Sequence, residues 1–131
     1  MMVRMEAVPS IPDEGVARAS ALLCAHLEAP WTVARLSKAV GMSRAALARR
    51  FVATLAESPM RHLTRLRMER AAELLSTTEQ RLASIAPQVG YDSEFALSRA
   101  FRRHFGVPPG AYRAGLRAGG VRRSSPVRMA A

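Results

Sequence analysis

Two stretches of this chain obey the same local grammar, and that duplication constrains its fold more than any other feature. Val40 onward reads VGMSRAALARRFVATLAESPMRHL, and Val89 onward reads VGYDSEFALSRAFRRHFGVPPGAYR. Gly41 and Gly90 correspond at an offset of 49. One inserted residue later Leu47 meets Leu97, Arg49 meets Arg99, Phe51 meets Phe101 and Pro59 meets Pro109, each at an offset of 50. A repeat of this period marks duplicated structural units. Each copy reads as a short helix, a tight turn at glycine, and a second helix with an arginine one turn in. That is the pattern of a helix-turn-helix pair, present twice.

The rest of the chain supplies further helices around the repeat. Asp13 is placed to cap a first helix running to about Leu27, with Val16, Ala19, Leu23 and Leu27 on one face. Glu28-Ala29-Pro30 stops it, because proline disfavours helix at the residue before it, and Trp31 is expected to be a packing anchor. Thr32 can cap a second helix that turns Val33, Leu36 and Val40 inward. Gly41 then supplies a turn where positive φ is cheap. Ser43 caps a third helix with the stripe Leu47, Phe51 and Leu55. Ser58-Pro59 starts a fourth, long helix to about Leu75, since proline at the first helical position loses nothing. Its apolar contacts are Met60, Leu63, Ala71, Leu74 and Leu75, while Arg61, Arg65, Glu69 and Glu73 form a solvated, partly self-paired face. A fifth helix lies around Leu82 to Val89, a sixth capped by Ser93 buries Leu97, Phe101 and Phe105, and a last short one runs through Tyr112 and Arg113. The expected architecture is all-α: two helix-turn-helix subdomains joined by a long linker helix, about seven helices in all. Residues 1–12 read as an arm or linker remnant and 13–118 as the domain, with helix-turn-helix units near 32–55 and 82–105 and the linker helix near 59–75. The small, basic, aperiodic stretch 119–131 is expected to be disordered.

Charge points to the partner. The formal net charge is +10, and of the twenty basic residues only Lys38 is lysine. Such a balance favours a polyanion, and arginine's planar fork suits phosphates and guanine edges. The single Cys24 excludes an internal disulfide and a cysteine zinc cluster, and its apolar surroundings (ALLCAHL) place it in the core. No apolar run has the length of a membrane span and no signal-peptide core is present, so a cytosolic protein is expected. Enzyme readings find little support: His26, His62 and His104 have no ligand spacing, and neither a phosphate loop nor a nucleophile–base arrangement is visible. No cofactor and no metal are expected.

On a helix entering the major groove, the first turns meet base edges. Arg49 and Arg99 hold equivalent places there, and a guanidinium so placed can bond guanine O6 and N7 together. Arg44, Arg50, Arg102, Arg103 and Arg113 suit phosphates, which position a protein without reading sequence. Ser43 and Ser93 put helix N-termini near the backbone. Ala45 and Ala48 offer no hydrogen bonds, so the first unit reads little beyond thymine methyls. Two other readings stay open on these residues alone: a nonspecific architectural nucleic-acid binder whose arginines serve only the backbone, and a helical interaction module whose basic surface docks an acidic protein.

Over roughly Glu14 to Arg113 the chain resembles the C-terminal DNA-binding domain of the AraC/XylS transcription regulators. The match is strongest in IAPQVGYDSEFALSRAFRRHFGVPPGAYR, and in LSKAVGMSRAALARRF with the long helix PMRHLTRLRMERAAELL. The resemblance implies seven helices, with two helix-turn-helix units entering successive major-groove segments on one DNA face. It implies that Arg99 and Arg49 face bases, and that Arg44, Ala45 and Ala48 in one unit and Glu94, Phe95 and Ser98 in the other tune sequence choice. The partner it implies is double-stranded DNA, with RNA polymerase and a separate N-terminal sensor domain as further candidates. Three positions depart from the pattern. Pro87 falls inside the fifth helix, at a cost of around 3 kcal/mol unless that helix starts late with Ser84 as its cap. Ala56 stands where the family usually has glycine, and Phe95 is bulky and apolar where the family is commonly polar.

Overall fold

The computed structural model describes residues 11–118. Seven α-helices follow one another there: α1 (Glu14–Ala25), α2 (Val33–Val40), α3 (Arg44–Leu55), α4 (Pro59–Thr77), α5 (Leu82–Gln88), α6 (Glu94–Phe105) and α7 (Pro109–Arg117). The described residues contain no strand, and the two helix-turn-helix pairs, α2–α3 and α5–α6, are linked through α4. The expected arm over 1–12 lies outside the described residues as far as residue 10, and the expected tail over 119–131 lies outside them entirely. Two compact units form. The first holds α1 to α3 and the start of α4 through Leu63; the second holds His26–Pro30, α4 from Thr64, and α5 to α7.

In the first unit, side-chain oxygens take up the N–H groups that open each helix. Asp13 accepts from Val16 N at 3.0 Å, Thr32 from Arg35 N at 3.0 Å, Ser43 from Ala46 N at 3.1 Å and Ser58 from Arg61 N at 3.3 Å. Gly41 closes α2 at φ 71°, a conformation only glycine adopts cheaply. Val16, Ala19 and Leu23 of α1 are buried with Leu36 and Val40 of α2, Leu47 and Phe51 of α3, and Leu63 of α4. Leu27 and Leu55 are only half-buried, because each sits at or beyond the end of its helix. Cys24 is exposed, which corrects its placement in the core. The run ALLCAHL is apolar on several sides, and only the Val16–Ala19–Leu23 stripe is covered.

The second unit packs α4, α5, α6 and α7 around Met68, Ala71, Leu74, Leu75, Ile85, Val89, Leu97, Phe101, Phe105 and Tyr112. Ser93 accepts from Ala96 N at 3.1 Å, and Gly106 ends α6 at φ 85°. Ser84 is not the cap of α5: the helix begins at Leu82 with Arg81 in the cap position and no side-chain cap bond. Pro87 is tolerated for a different reason. It is the penultimate residue of a seven-residue helix, and both it and Ala83, whose carbonyl its missing N–H leaves open, are exposed to water.

The two units reuse the same packing slot. Phe51 meets His62 edge-on with ring centroids 5.5 Å apart at 63°, and Phe101 meets Tyr112 with centroids 5.5 Å apart at 66°. Both pairs stand at an offset of 50, as do the fully buried Pro59 and Pro109. The 19 residues of α4 extend about 28 Å at 1.5 Å per residue; of the self-paired face expected on it Arg65–Glu69 pair at 3.0 Å, while Glu73 pairs at 2.8 Å with Arg70, which lay outside the expected set.

Within the second unit Arg67 ties the short 26–30 segment to α4. It donates from Nε to Leu27 O at 3.0 Å and from Nη2 to Ala29 O at 2.9 Å, and lies 5.9 Å from the Tyr91 ring. Burial pushes the Arg67 guanidinium down and the Tyr91 phenol up.

Candidate nucleic-acid interface

Helices α3 and α6 are each twelve residues long, each is capped by a serine, and each ends on a left-handed residue. Their exposed faces therefore match residue by residue at an offset of 50. Arg44, Ala45 and Arg49 are exposed on α3, with Ala48 half-buried; Phe95, Arg99, Arg102 and Arg103 are exposed on α6, with Glu94 and Ser98 half-buried. At about 100° per residue, Phe95, Arg99, Arg102 and Arg103 fall on the side of α6 away from Leu97, Phe101 and Phe105. Ala45, Arg49 and Val52 do the same on α3, away from Leu47 and Phe51.

Arg49 and Arg99 engage no other described residue by hydrogen bond or ion pair. Their guanidiniums are available to an external acceptor. Ser43 and Ser93 each satisfy one N–H of their own helix, and an α-helix start leaves further N–H groups facing outward. The N-terminal partial positive charge adds to the arginines above it. Each of the two helices by itself presents a cationic, donor-rich face, suited to an anionic partner with hydrogen-bond acceptors.

Two arginines expected at phosphates are employed otherwise. Arg50 donates from Nε and Nη2 to the Asp13 carboxylate, each at 2.8 Å, clamping the start of α1 onto α3. The Arg50 hydrogen bond holds the Asp13 carboxyl at about 2, against an ordinary value of 3.8. Arg113 is spent on the protein's own backbone. Its Nε, Nη1 and Nη2 donate to Leu75 O at 3.1 Å, Gln80 O at 2.7 Å and Thr78 O at 2.9 Å, closing the carbonyl end of α4. The repeat carried a signal for both. At an offset of 50, Arg50 corresponds to Ala100 and Arg113 to Leu63, and both counterparts are buried.

His62 is 4% exposed; its Nε2 lies 2.9 Å from Ser20 Oγ and its Nδ1 2.6 Å from Glu57 Oε2. A hydroxyl, an imidazole and a carboxylate thus line up where no nucleophile–base arrangement was visible in the sequence. The slot argues for structure: its counterpart Tyr112 fills the same place against Phe101. The triad pins α1 and the α3–α4 turn to α4. Among the described residues, no group of three or more His, Cys, Asp or Glu could hold a metal ion, and no helix is long and apolar enough to cross a membrane.

Comparison with known proteins agrees with this geometry. Residues 36–115 match the model of a helix-turn-helix domain family. A Streptomyces lividans protein named as an AraC-like transcription regulator is 50% identical over 97 residues, which make up 72% of this chain and 32% of that protein. The C-terminal domain of AraT, a response regulator from Geobacillus stearothermophilus, superposes with a TM-score of 0.78 at 34% identity, covering 81% of this chain and 88% of that one. The DNA-binding domain of AdpA, a global transcriptional factor solved with a target DNA, superposes with a TM-score of 0.76 at 33% identity, covering 81% and 96%. The aligned region spans about a third of the length of the Streptomyces relative. By sequence, by helix order and by the duplicated turn, the chain belongs to the AraC/XylS family of transcription regulators, and what it matches there is the helix-turn-helix DNA-binding domain.

Proposed function

We propose that the chain reads double-stranded DNA sequence-specifically in transcription regulation, with α3 and α6 entering two adjacent major-groove segments. The observation that carries this reading is the recurrence of an exposed, unengaged arginine at the same register of two equivalent helices, Arg49 and Arg99. Each takes a guanine O6/N7 edge. A bidentate pair of this kind discriminates by about 1–3 kcal/mol. Arg44, Ala45 and Ala48 flank Arg49, and Glu94, Phe95 and Ser98 flank Arg99, tuning neighbouring base pairs. The N-termini at Ser43 and Ser93, with Arg102 and Arg103, hold the phosphates. The AdpA domain, solved with a target DNA, supports the class of partner. RNA polymerase and a separate N-terminal sensor domain are the further partners that the family resemblance implies, and we place the site of action at the cytoplasmic nucleoid.

Selection of bound duplexes from a random pool tests this directly. A preferred sequence is expected, held at least 10³-fold more tightly than random DNA at fixed salt. Arg99→Ala is expected to relax preference at one or two base pairs while nonspecific binding persists. An Arg99→Ala protein weakened equally on every duplex shows a phosphate contact instead, and a pool with no preferred duplex returns the architectural reading.

A further inference from the structure

We infer that Phe95 reads a pyrimidine C5-methyl group, so that the DNA half-site of the second unit contains an obligatory thymine. The inference rests on the reading above and adds to it the identity of one base. Phe95 is 68% exposed, more than any other large hydrophobic residue described. Leaving a phenyl ring in water forgoes the burial that a core or a partner supplies, and the second unit's core closes without it. The ring occupies the second position of α6, two residues after the Ser93 cap. Those first-turn residues are the ones that reach base edges when a recognition helix enters the groove. Arg99 follows four residues later on the same side, so a ring at one base pair and a guanidinium at a neighbour come from one helix face.

The chemistry of the groove selects the occupant. Thymine's methyl is the apolar group that base pairs present in the major groove, and phenylalanine is suited to meet it. A phenyl ring against cytosine N4 or a purine N7 takes water from that polar edge and returns no hydrogen bond, which costs affinity. The surroundings favour nucleic acid over a protein partner: exposed Arg99, Arg102 and Arg103 share the ring's side of α6. In the first unit the equivalent residue is Ala45, exposed and apolar but one methyl long. The two half-sites are therefore read with unequal reach.

The test uses the preferred duplex recovered from the pool. Each thymine of the second half-site is replaced in turn by deoxyuridine, which keeps the base pair and removes only the methyl. Affinities of the wild type, Phe95→Ala and Phe95→Leu are measured by fluorescence anisotropy at fixed salt. One substitution is expected to weaken the wild type about fourfold, the worth of burying one such group. Phe95→Ala should bind the thymine and uracil duplexes alike, and Phe95→Leu should retain part of the difference. Because Phe95 lies outside the core, circular dichroism of the variants should match the wild type. Equal wild-type affinity for every uracil duplex overturns the inference and leaves sequence-specific binding intact. So does a Phe95→Ala protein that still distinguishes them, or one whose DNA binding is unchanged, which assigns the exposed ring to a protein partner. A pool with no preferred duplex overturns the parent reading and this one with it.

Discussion

Ala56 and Gly106 close equivalent helices with the same backbone turn, and exchanging their side chains measures what that turn costs. Ala56 ends α3 at φ 61°, ψ 24°, with its N–H on Val52 O at 2.9 Å; Gly106 ends α6 at φ 85°, ψ −7°, with its N–H on Arg102 O at 2.8 Å. Ala56 is the one residue other than glycine at positive φ among those described. A Cβ in the left-handed region costs about 1–2 kcal/mol. Replacing it by glycine returns that strain but raises the entropy of the unfolded chain, against folding by about 0.5–1 kcal/mol. Ala56→Gly should therefore stabilise by about 0.5–1 kcal/mol. A Cβ built at Gly106 meets nothing within 4 Å, so Gly106→Ala should lose a similar amount from backbone strain alone. The expected displacement of Tm is roughly 2–6 °C in either direction. Urea unfolding, followed by Trp31 fluorescence for the first unit and by far-UV circular dichroism for the whole chain, gives the change at unaltered m-value. An Ala56→Gly protein no more stable than wild type refutes the strain argument. So does a Gly106→Ala protein that loses nothing.

Three further outcomes follow from particular contacts. The Asp13 carboxyl is held at about 2 by Arg50, below its ordinary 3.8, so its stabilising effect is complete above that ordinary value and fades as pH falls toward 2. Trp31-monitored stability of the wild type should fall more steeply over that window than that of Asp13→Asn, and parallel curves contradict the clamp. Gly90→Ala should cost markedly more than Gly41→Ala in urea unfolding: a Cβ at Gly90 lies 2.7 Å from Arg67 Cζ and from Leu27 O, while one at Gly41 meets nothing within 4 Å. Equal losses show that Arg67 and the 26–30 segment yield freely. Arg113→Ala should destabilise by about 1.5–3 kcal/mol through three orphaned carbonyls, yet leave the salt dependence of DNA binding unchanged; a slope lowered by about one unit identifies a phosphate contact instead.

The helices were legible because their boundaries are written in residue types with one physical use each. Asp13, Thr32, Ser43, Ser58 and Ser93 accept the bonds expected of caps, and Gly41, Gly90 and Gly106 take the positive φ expected of turns. The equivalent faces of α3 and α6 were legible from the repeat. Arg50 and Arg113 were not read correctly because arginine is long enough to turn aside from the face its Cα occupies, and composition says nothing of where its donors end. Their buried counterparts, Ala100 and Leu63, held that information. Cys24 shows the limit of an apolar run: it tells that a helix is covered, but not on how many sides. His62 was invisible as a hub because Ser20 and Glu57 reach it from 42 and 5 residues away, without any sequence spacing that signals their meeting.

The central claim is that the two units grip neighbouring major-groove segments at once, and a spacing series tests it most directly. In the preferred duplex the halves read by Arg49 and Arg99 should lie about 10–10.5 base pairs apart, one turn of the helix. Inserting five base pairs between them turns the second half to the opposite side of the DNA. Wild-type affinity should then fall to that of a duplex carrying a single half-site, while the Arg99→Ala protein, already weakened at the second half-site, should lose much less on the same insertion. Affinity indifferent to the insertion in the wild type contradicts simultaneous engagement of the two units.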